Sequence, residues 1–130
     1  MKSLIIEDDF ICRRLLQKIL SEYGECDITV NGKEAIEAFE LSYKEKKPYD
    51  IVCLDIMLPE MDGQEILKKF RKIEEDMGIT GLDVVKVLMV TALGDKDNIM
   101  NAFKSGCEAY IVKPIEKNKI INEIKKLGLL

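Results

Sequence analysis

Four groups of side chains in this sequence have the types and the placement to handle phosphate or a metal ion. Asp55 ends the apolar run Ile51-Val52-Cys53-Leu54, and Pro59 and Gly63 in the stretch that follows forbid a simple continuation of that run. Glu7, Asp8 and Asp9 end a second apolar run, Leu4-Ile5-Ile6. Thr91 closes the β-branched stretch Val84 to Val90, and Lys113-Pro114 follows Ala109 to Val112. Carboxylates about 5 Å apart repel by roughly 3 kcal/mol per pair at an effective dielectric of about 20, so a cluster of them invites a cation. An oxygen-only donor set selects a hard ion, and two or three carboxylates completed by water suit Mg²⁺. Lys113 adds a compact positive charge and Thr91 a hydroxyl able to bond a phosphate oxygen. Together they read as a phosphate site beside a nucleophilic carboxylate. Singly, each has a plainer reading: Asp55 as a turn former, the acids as a helix cap, Thr91 as a strand-end hydroxyl.

The elements that must position these groups follow from hydrophobic period. Short continuous apolar runs are the pattern of strands covered on both faces in a parallel sheet. Between them, Ile11, Leu15, Leu16, Ile19 and Leu20 recur at helical spacing, which predicts an amphipathic helix from residue 10 to about 22 with Asp9 near its start and Gly24 beyond its end. A strand over Cys26 to Val30 leads through Asn31-Gly32 into a helix with Ala35, Ile36, Ala38, Phe39 and Tyr43 on its inner face. Ile66, Leu67, Phe70 and Ile73 mark a third helix that fades near Met77-Gly78, and Val84 to Val90 is the longest β-branched run. Ile99, Met100, Ala102 and Phe103 build a fourth helix that Gly106 terminates. After the strand Ala109 to Val112, the last helix turns Ile120, Ile121, Ile124 and Leu127 inward and Lys117, Lys119, Lys125 and Lys126 outward. Strand–helix alternation of this kind implies βαβ crossovers and a doubly wound three-layer α/β/α domain. All strand carboxyl ends of a parallel sheet share one edge, so Glu7 to Asp9, Asp55, Thr91 and Lys113 are expected to converge in the crevice where ligands of open α/β sheets bind.

Composition limits the function classes. A chain of 130 residues suits one domain, with about two-thirds of its unfolded surface buried on folding. A net charge of −4 without a Lys/Arg stripe argues against nucleic-acid binding, which depends on neutralised phosphates. Cys12, Cys26, Cys53 and Cys107 lack C-x-x-C spacing and there is no histidine, so they read as reduced thiols and not as a zinc motif. No apolar run approaches the length of a membrane span and no signal peptide opens the chain, which makes a cytoplasmic protein the expectation. Without histidine, any phosphohistidine donor must be another molecule.

These residues closely resemble the receiver domains of two-component response regulators. The resemblance covers the whole chain and rests on Asp8-Asp9 after LIIE, on DIMLPEMDG from Asp55, on Thr91-Ala92, and on Tyr110 three residues before Lys113-Pro114. It implies a flavodoxin-like five-stranded sheet of order 2-1-3-4-5 with five helices, and a single receiver domain over 1–130 with no output domain. By position, Asp55 would accept a phosphoryl group from the phosphohistidine of a sensor histidine kinase or a histidine phosphotransfer protein. Asp8 and Asp9 would hold Mg²⁺ with Asp55 and the backbone carbonyl of Met57. Lys113 would pair with the phosphoryl group, and Thr91 and Tyr110 would act as the switch, changing the face of helix four, strand five and helix five for a downstream protein. The Lys113-Pro114 bond would be cis. The domain would be a monomer or a weak dimer promoted by phosphorylation, a phosphorelay component and not an enzyme.

Three other readings compete. Phosphatases with an aspartyl nucleophile carry a second acid two residues on, where this chain has Met57, so a proton carrier for turnover is missing. A non-phosphorylated interaction module would not need every one of these side chains. A receiver cut from a larger DNA-binding or enzymatic regulator would show the same residues as a stand-alone one.

Overall fold

The strands form where β-branched and aliphatic residues run unbroken, and the helices where capping acids open an amphipathic stretch. The computed structural model describes residues Met1–Leu130. Its elements are β1 (Ser3–Ile6), α1 (Phe10–Leu20), β2 (Cys26–Thr29), α2 (Gly32–Lys44), β3 (Ile51–Leu54), α3 (Gly63–Asp76), β4 (Lys86–Thr91), α4 (Lys96–Lys104), β5 (Ala109–Val112) and α5 (Lys117–Lys126). The five strands are all parallel, in the order β2-β1-β3-β4-β5. This is the flavodoxin-like arrangement, with its topological switch point between β1 and β3.

Alternation along each strand divides the core between the two faces of the sheet. Leu4, Ile6, Val52, Leu54, Val87 and Met89 face α2, α3 and α4, where Phe39 and Phe70 stack with ring centroids 4.1 Å apart. Ile5, Ile51, Cys53, Leu88, Val90 and Ile111 face α1 and α5, through Leu16, Ile19, Leu20, Ile120 and Ile124. The side chains of Asp9, Asn31, Asp62 and Asp95 accept from backbone N–H groups at the starts of α1 to α4.

The structure departs from the periodic reading in three places. Ile11 and Leu15 are 74% and 38% exposed, and α1 buries Leu16, Ile19 and Leu20. Leu16, the neighbour of Leu15, is 1% exposed, so the face of α1 packed on the sheet carries Leu16, Ile19 and Leu20 and leaves Ile11 and Leu15 on the outer flank. In α4 only Ala102 is buried, and Met100 and Phe103 stand in solvent. β4 begins at Lys86 and not at Val84. The Val85 N–H donates to Glu74 Oε2 at 2.7 Å and its carbonyl accepts from Arg71 Nη1 at 2.9 Å, so side chains of α3 take the groups that a ladder would have used.

Candidate functional site

Glu7, Asp55 and Lys113 sit just past strand ends and Thr91 closes β4, held by backbone bonds that extend the ladder, whereas Tyr110 lies within β5. The Asp55 N–H donates to the Ile6 carbonyl at 3.1 Å, the Glu7 N–H to the Thr29 carbonyl at 3.1 Å, and the Lys113 N–H to the Thr91 carbonyl at 2.8 Å. These extensions bring residues from opposite ends of the chain into contact. Lys113 Nζ donates to Glu7 Oε1 at 2.7 Å and to Asp55 Oδ2 at 2.9 Å. The Met57 N–H donates to Asp55 Oδ1 at 3.1 Å, so both carboxylate oxygens of Asp55 are oriented. Asp55 is 4% exposed and Glu7 1%.

Burial pushes the Glu7 carboxyl up to about 7; the bond from Lys113 opposes that shift and the neighbouring Asp55 adds to it. Burial alone would lower the Lys113 ammonium, but its bonds to Glu7 and Asp55 outweigh that and hold its pKa above the ordinary value. One lysine thus holds together two carboxylates that would otherwise repel.

Carboxylate oxygens of Glu7, Asp8 and Asp55 lie within 4.8 Å of one another. Asp9 falls in a different group. It is the N-cap of α1, accepting from the Cys12 N–H at 2.9 Å, and the thiol and N–H of Cys12 hold its carboxyl below the ordinary carboxylate range. The predicted pair Asp8-Asp9 is therefore divided: Asp8 stays with Asp55, Asp9 turns to the helix, and Glu7, expected among the converging acids but not among the metal ligands, joins the cluster. The signal available in the sequence was Phe10, the first residue of the helical stretch, which makes Asp9 the cap. Oε2 of Glu7 is buried without a hydrogen-bond partner. An orphaned carboxylate oxygen in an oxygen-only donor set fits a hard divalent ion such as Mg²⁺.

Thr91 and Tyr110 meet through one residue. The Thr91 hydroxyl, fully buried, accepts from the Leu93 N–H at 3.4 Å, and the Tyr110 hydroxyl donates to the Leu93 carbonyl. Tyr110 is half-buried against the α2–α3–α4 side of the core. The Lys113-Pro114 peptide is cis, as the resemblance implied.

Gly63 explains why the loop after β3 closes as it does. Its N–H donates to the Ile56 carbonyl at 2.9 Å, and a Cβ there would lie 2.2 Å from the Asp55 carbonyl oxygen. Gly63→Ala is expected to push the Asp55 backbone aside and to destabilise the domain by about 1–3 kcal/mol, the usual cost of overpacking. Equilibrium urea unfolding measures this, and an unchanged midpoint would contradict the contact.

An open doubly wound sheet with an acidic cluster and a lysine at its switch point defines a flavodoxin-like domain with a site suited to a divalent ion and a phosphoryl group. The chain belongs to the response regulator receiver family: the model of the response regulator receiver domain matches residues 3–125. It is 32% identical to the chemotaxis protein CheY of Thermotoga maritima over 127 residues, covering 96% of this chain and 95% of that protein. It is 34% identical to the transcriptional regulatory protein SrrA of Staphylococcus aureus over 125 residues, 95% of this chain and 46% of that longer protein. Among solved structures, the complex of CheX, CheY, BeF₃ and Mg²⁺ from Borrelia burgdorferi matches with a TM-score of 0.84 at 25% identity, covering all of this chain and 90% of that one. A receiver domain of two-component signalling is the coarse identity that these similarities share.

Proposed function

We propose that Asp55 is the phosphoacceptor of this receiver, with Lys113 and Thr91 acting on the phosphoryl group and with Glu7, Asp8, Asp55 and the Met57 carbonyl placed to hold Mg²⁺. The observation that carries the reading is the buried Asp55 carboxylate, held by Lys113 on one oxygen and by the Met57 N–H on the other. The bound ion would neutralise charge on the incoming phosphoryl group. An oxygen of Asp55 attacks the phosphorus of a donor phosphohistidine, the phosphorus–nitrogen bond breaks, and the imidazole nitrogen leaves with the electron pair. Lys113, already within bonding distance of Asp55, stabilises the added negative charge. Thr91 lies at the end of the neighbouring strand, where its hydroxyl can exchange Leu93 for a phosphoryl oxygen. The domain is a phosphoacceptor and not a turnover enzyme, because the position two residues after Asp55 is Met57 and the chain has no histidine to carry a proton.

Two surfaces suit the partners. Phe10, Ile11 and Leu15 expose an apolar strip on α1 directly beside the acids, where a kinase or phosphotransfer protein would bring its histidine. On the other side, Met100, Phe103 and Val112 are 57%, 48% and 39% exposed on α4 and β5. Phosphorylation changes the charge on Asp55 from one to about two and draws Thr91 inward, and Leu93 passes that shift to Tyr110 beside this face. Support for a cytoplasmic setting comes from four cysteines that are all free thiols. No helix is long and apolar enough to cross a membrane.

Incubation with Mg²⁺ and a small-molecule phosphodonor tests the assignment: one phosphoryl group is expected by intact mass, dependent on Mg²⁺ and absent in Asp55→Asn. Modification that persists in Asp55→Asn would overturn it. The lifetime of the phosphoryl group follows from the residues around it. Met57 is 56% exposed and Leu93 half-buried, and two apolar side chains there hinder an attacking water. Replacing both by polar residues is expected to shorten the lifetime, measured as loss of labelled phosphate after donor removal; an unchanged rate would contradict this.

A further inference from the structure

Beside the oxygen-only cluster lies a second group of ligand atoms, of which the phosphoacceptor reading uses only Glu7. Glu7, Asp9 and Cys12 each bring one carboxylate oxygen or sulfur to within 4.8 Å of the others. Three features make this more than an acidic corner. The Asp9 cap bond uses only Oδ2, which leaves Oδ1 for another partner. The Cys12 thiol is half-buried, and its sulfur lies within 4.8 Å of an oxygen of Asp9 and of Glu7. Glu7, 1% exposed, carries a buried oxygen with no hydrogen-bond partner.

We propose that Glu7, Asp9 and Cys12 form a second cation site, for a thiophilic divalent ion of the zinc class, adjoining the hard-ion cluster and sharing Glu7 with it. Ligand softness separates the two sites. Glu7, Asp8 and Asp55 offer oxygen only and suit Mg²⁺, whereas a sulfur ligand with two carboxylates favours a borderline or soft ion and supplies three of the four positions of a tetrahedral centre. Water completes the fourth. Sequence motifs miss such a site, because it has no C-x-x-C and no histidine. Binding breaks the S–H bond of Cys12: the sulfur keeps the electron pair and ligates the ion, and the proton leaves to solvent. The groups that oppose a cation here are Lys113, which bonds Glu7, Arg13 next to the site on α1, and the positive end of α1 itself. Three anionic ligands, with Asp8 and Asp55 behind them, outweigh these. The site does not depend on phosphorylation of Asp55.

Titration of the protein with Cd²⁺, followed by the ultraviolet thiolate-to-metal charge-transfer band, tests the proposal. One equivalent is expected to develop the band, and Zn²⁺ is expected to bleach it by displacement. The band is expected to vanish in Cys12→Ser, to persist in Cys26→Ser and in Asp55→Asn, and to need at least about tenfold more metal in Asp9→Asn and in Glu7→Gln. Asparagine caps a helix as well as aspartate does, so Asp9→Asn leaves α1 intact. Should Cys12→Ser fold poorly, protection of Cys12 from alkylation by Cd²⁺ in the unsubstituted protein, mapped by peptide mass, gives the same answer. Retention of the band in Cys12→Ser, unchanged affinity in both carboxylate variants, or full alkylation of Cys12 in the presence of Cd²⁺ would each overturn the proposal. Persistence of the band in Asp55→Asn separates this result from the phosphoacceptor test, which that variant must fail.

Discussion

Lys113→Ala is expected to slow phosphorylation of Asp55 by about a hundredfold, the scale on which a single preorganised donor to developing oxyanion charge is worth. The Lys113 side chain is 15% exposed and its ammonium bonds Asp55 at 2.9 Å before any phosphoryl group arrives, so the charge needs no rearrangement when the reaction begins. The same substitution changes stability in a direction that the geometry sets. Glu7 has a folded-state pKa of about 7 against an ordinary 4.5, so its neutral form favours the fold. That contribution is complete below 4.5 and is lost as pH rises through 7. Removing Lys113 takes away the group that lowers the Glu7 pKa, so the loss moves to higher pH and grows. Urea midpoints at about pH 5 and about pH 8 should therefore fall further apart in Lys113→Ala than in the unsubstituted protein. Mg²⁺ should narrow the gap by supplying the missing positive charge. Identical pH slopes with and without Lys113 would show that the lysine does not hold this pair.

The second large effect lies at the opposite edge of the sheet. Arg71 on α3 donates to Glu74 at 2.7 Å, to the Val85 carbonyl at 2.9 Å, to the Gly106 carbonyl at 2.7 Å, and to both oxygens of Glu108 at 3.0 Å. Glu74 and Glu108 in turn accept the N–H groups of Val85 and Val87 at 2.7 Å and 2.6 Å. One guanidinium fork thereby ties α3 to the starts of β4 and β5. Glu74 is 2% exposed, so removing its cation leaves a buried charge without its counter-charge. Arg71→Met is expected to destabilise the domain by about 3 kcal/mol and to lower its melting temperature by about 10 °C. Adding Glu74→Gln should recover part of the loss, because the double variant buries no unpaired charge. The rate of phosphorylation, measured where both proteins are folded, should stay the same, since the network stands at the amino ends of the strands. A shift below about 1 kcal/mol would place this pair with ordinary surface ion pairs.

Much of the fold was legible because its signals are local. Unbroken apolar runs named the strands, helical spacing named the helices, and the alternation of the two implied a parallel sheet. Asp55, Thr91 and Lys113 were legible for the same reason: each follows a strand, and parallel strands put their carboxyl ends on one edge. Side-chain direction was less legible. Ile11 and Leu15 continue the period of α1 yet face solvent, because the face packed on the sheet is the one carrying Leu16, Ile19 and Leu20, and helical spacing alone does not say which flank of an apolar stripe is covered. The start of β4 was misplaced by two residues because Glu74 and Arg71, which hold Val85, are distant in sequence and give no local sign.

The three consecutive acids show the division most directly. By itself the sequence determined that Glu7, Asp8 and Asp9 stand at the end of a strand and before a helix, and that a cation-binding cluster belongs there. Phe10 marked Asp9 as the cap, but only the tertiary structure decided how Glu7 and Asp8 divide the cluster. Glu7 continues the ladder beside β2 and is buried against Lys113 from the far end of the chain; Asp8 stays open beside Asp55; Asp9 turns away to cap α1. Adjacent residues with the same chemistry diverge because backbone direction reverses from strand to helix within three positions, and that reversal is settled by packing of the whole sheet against α1 and not by the acids themselves.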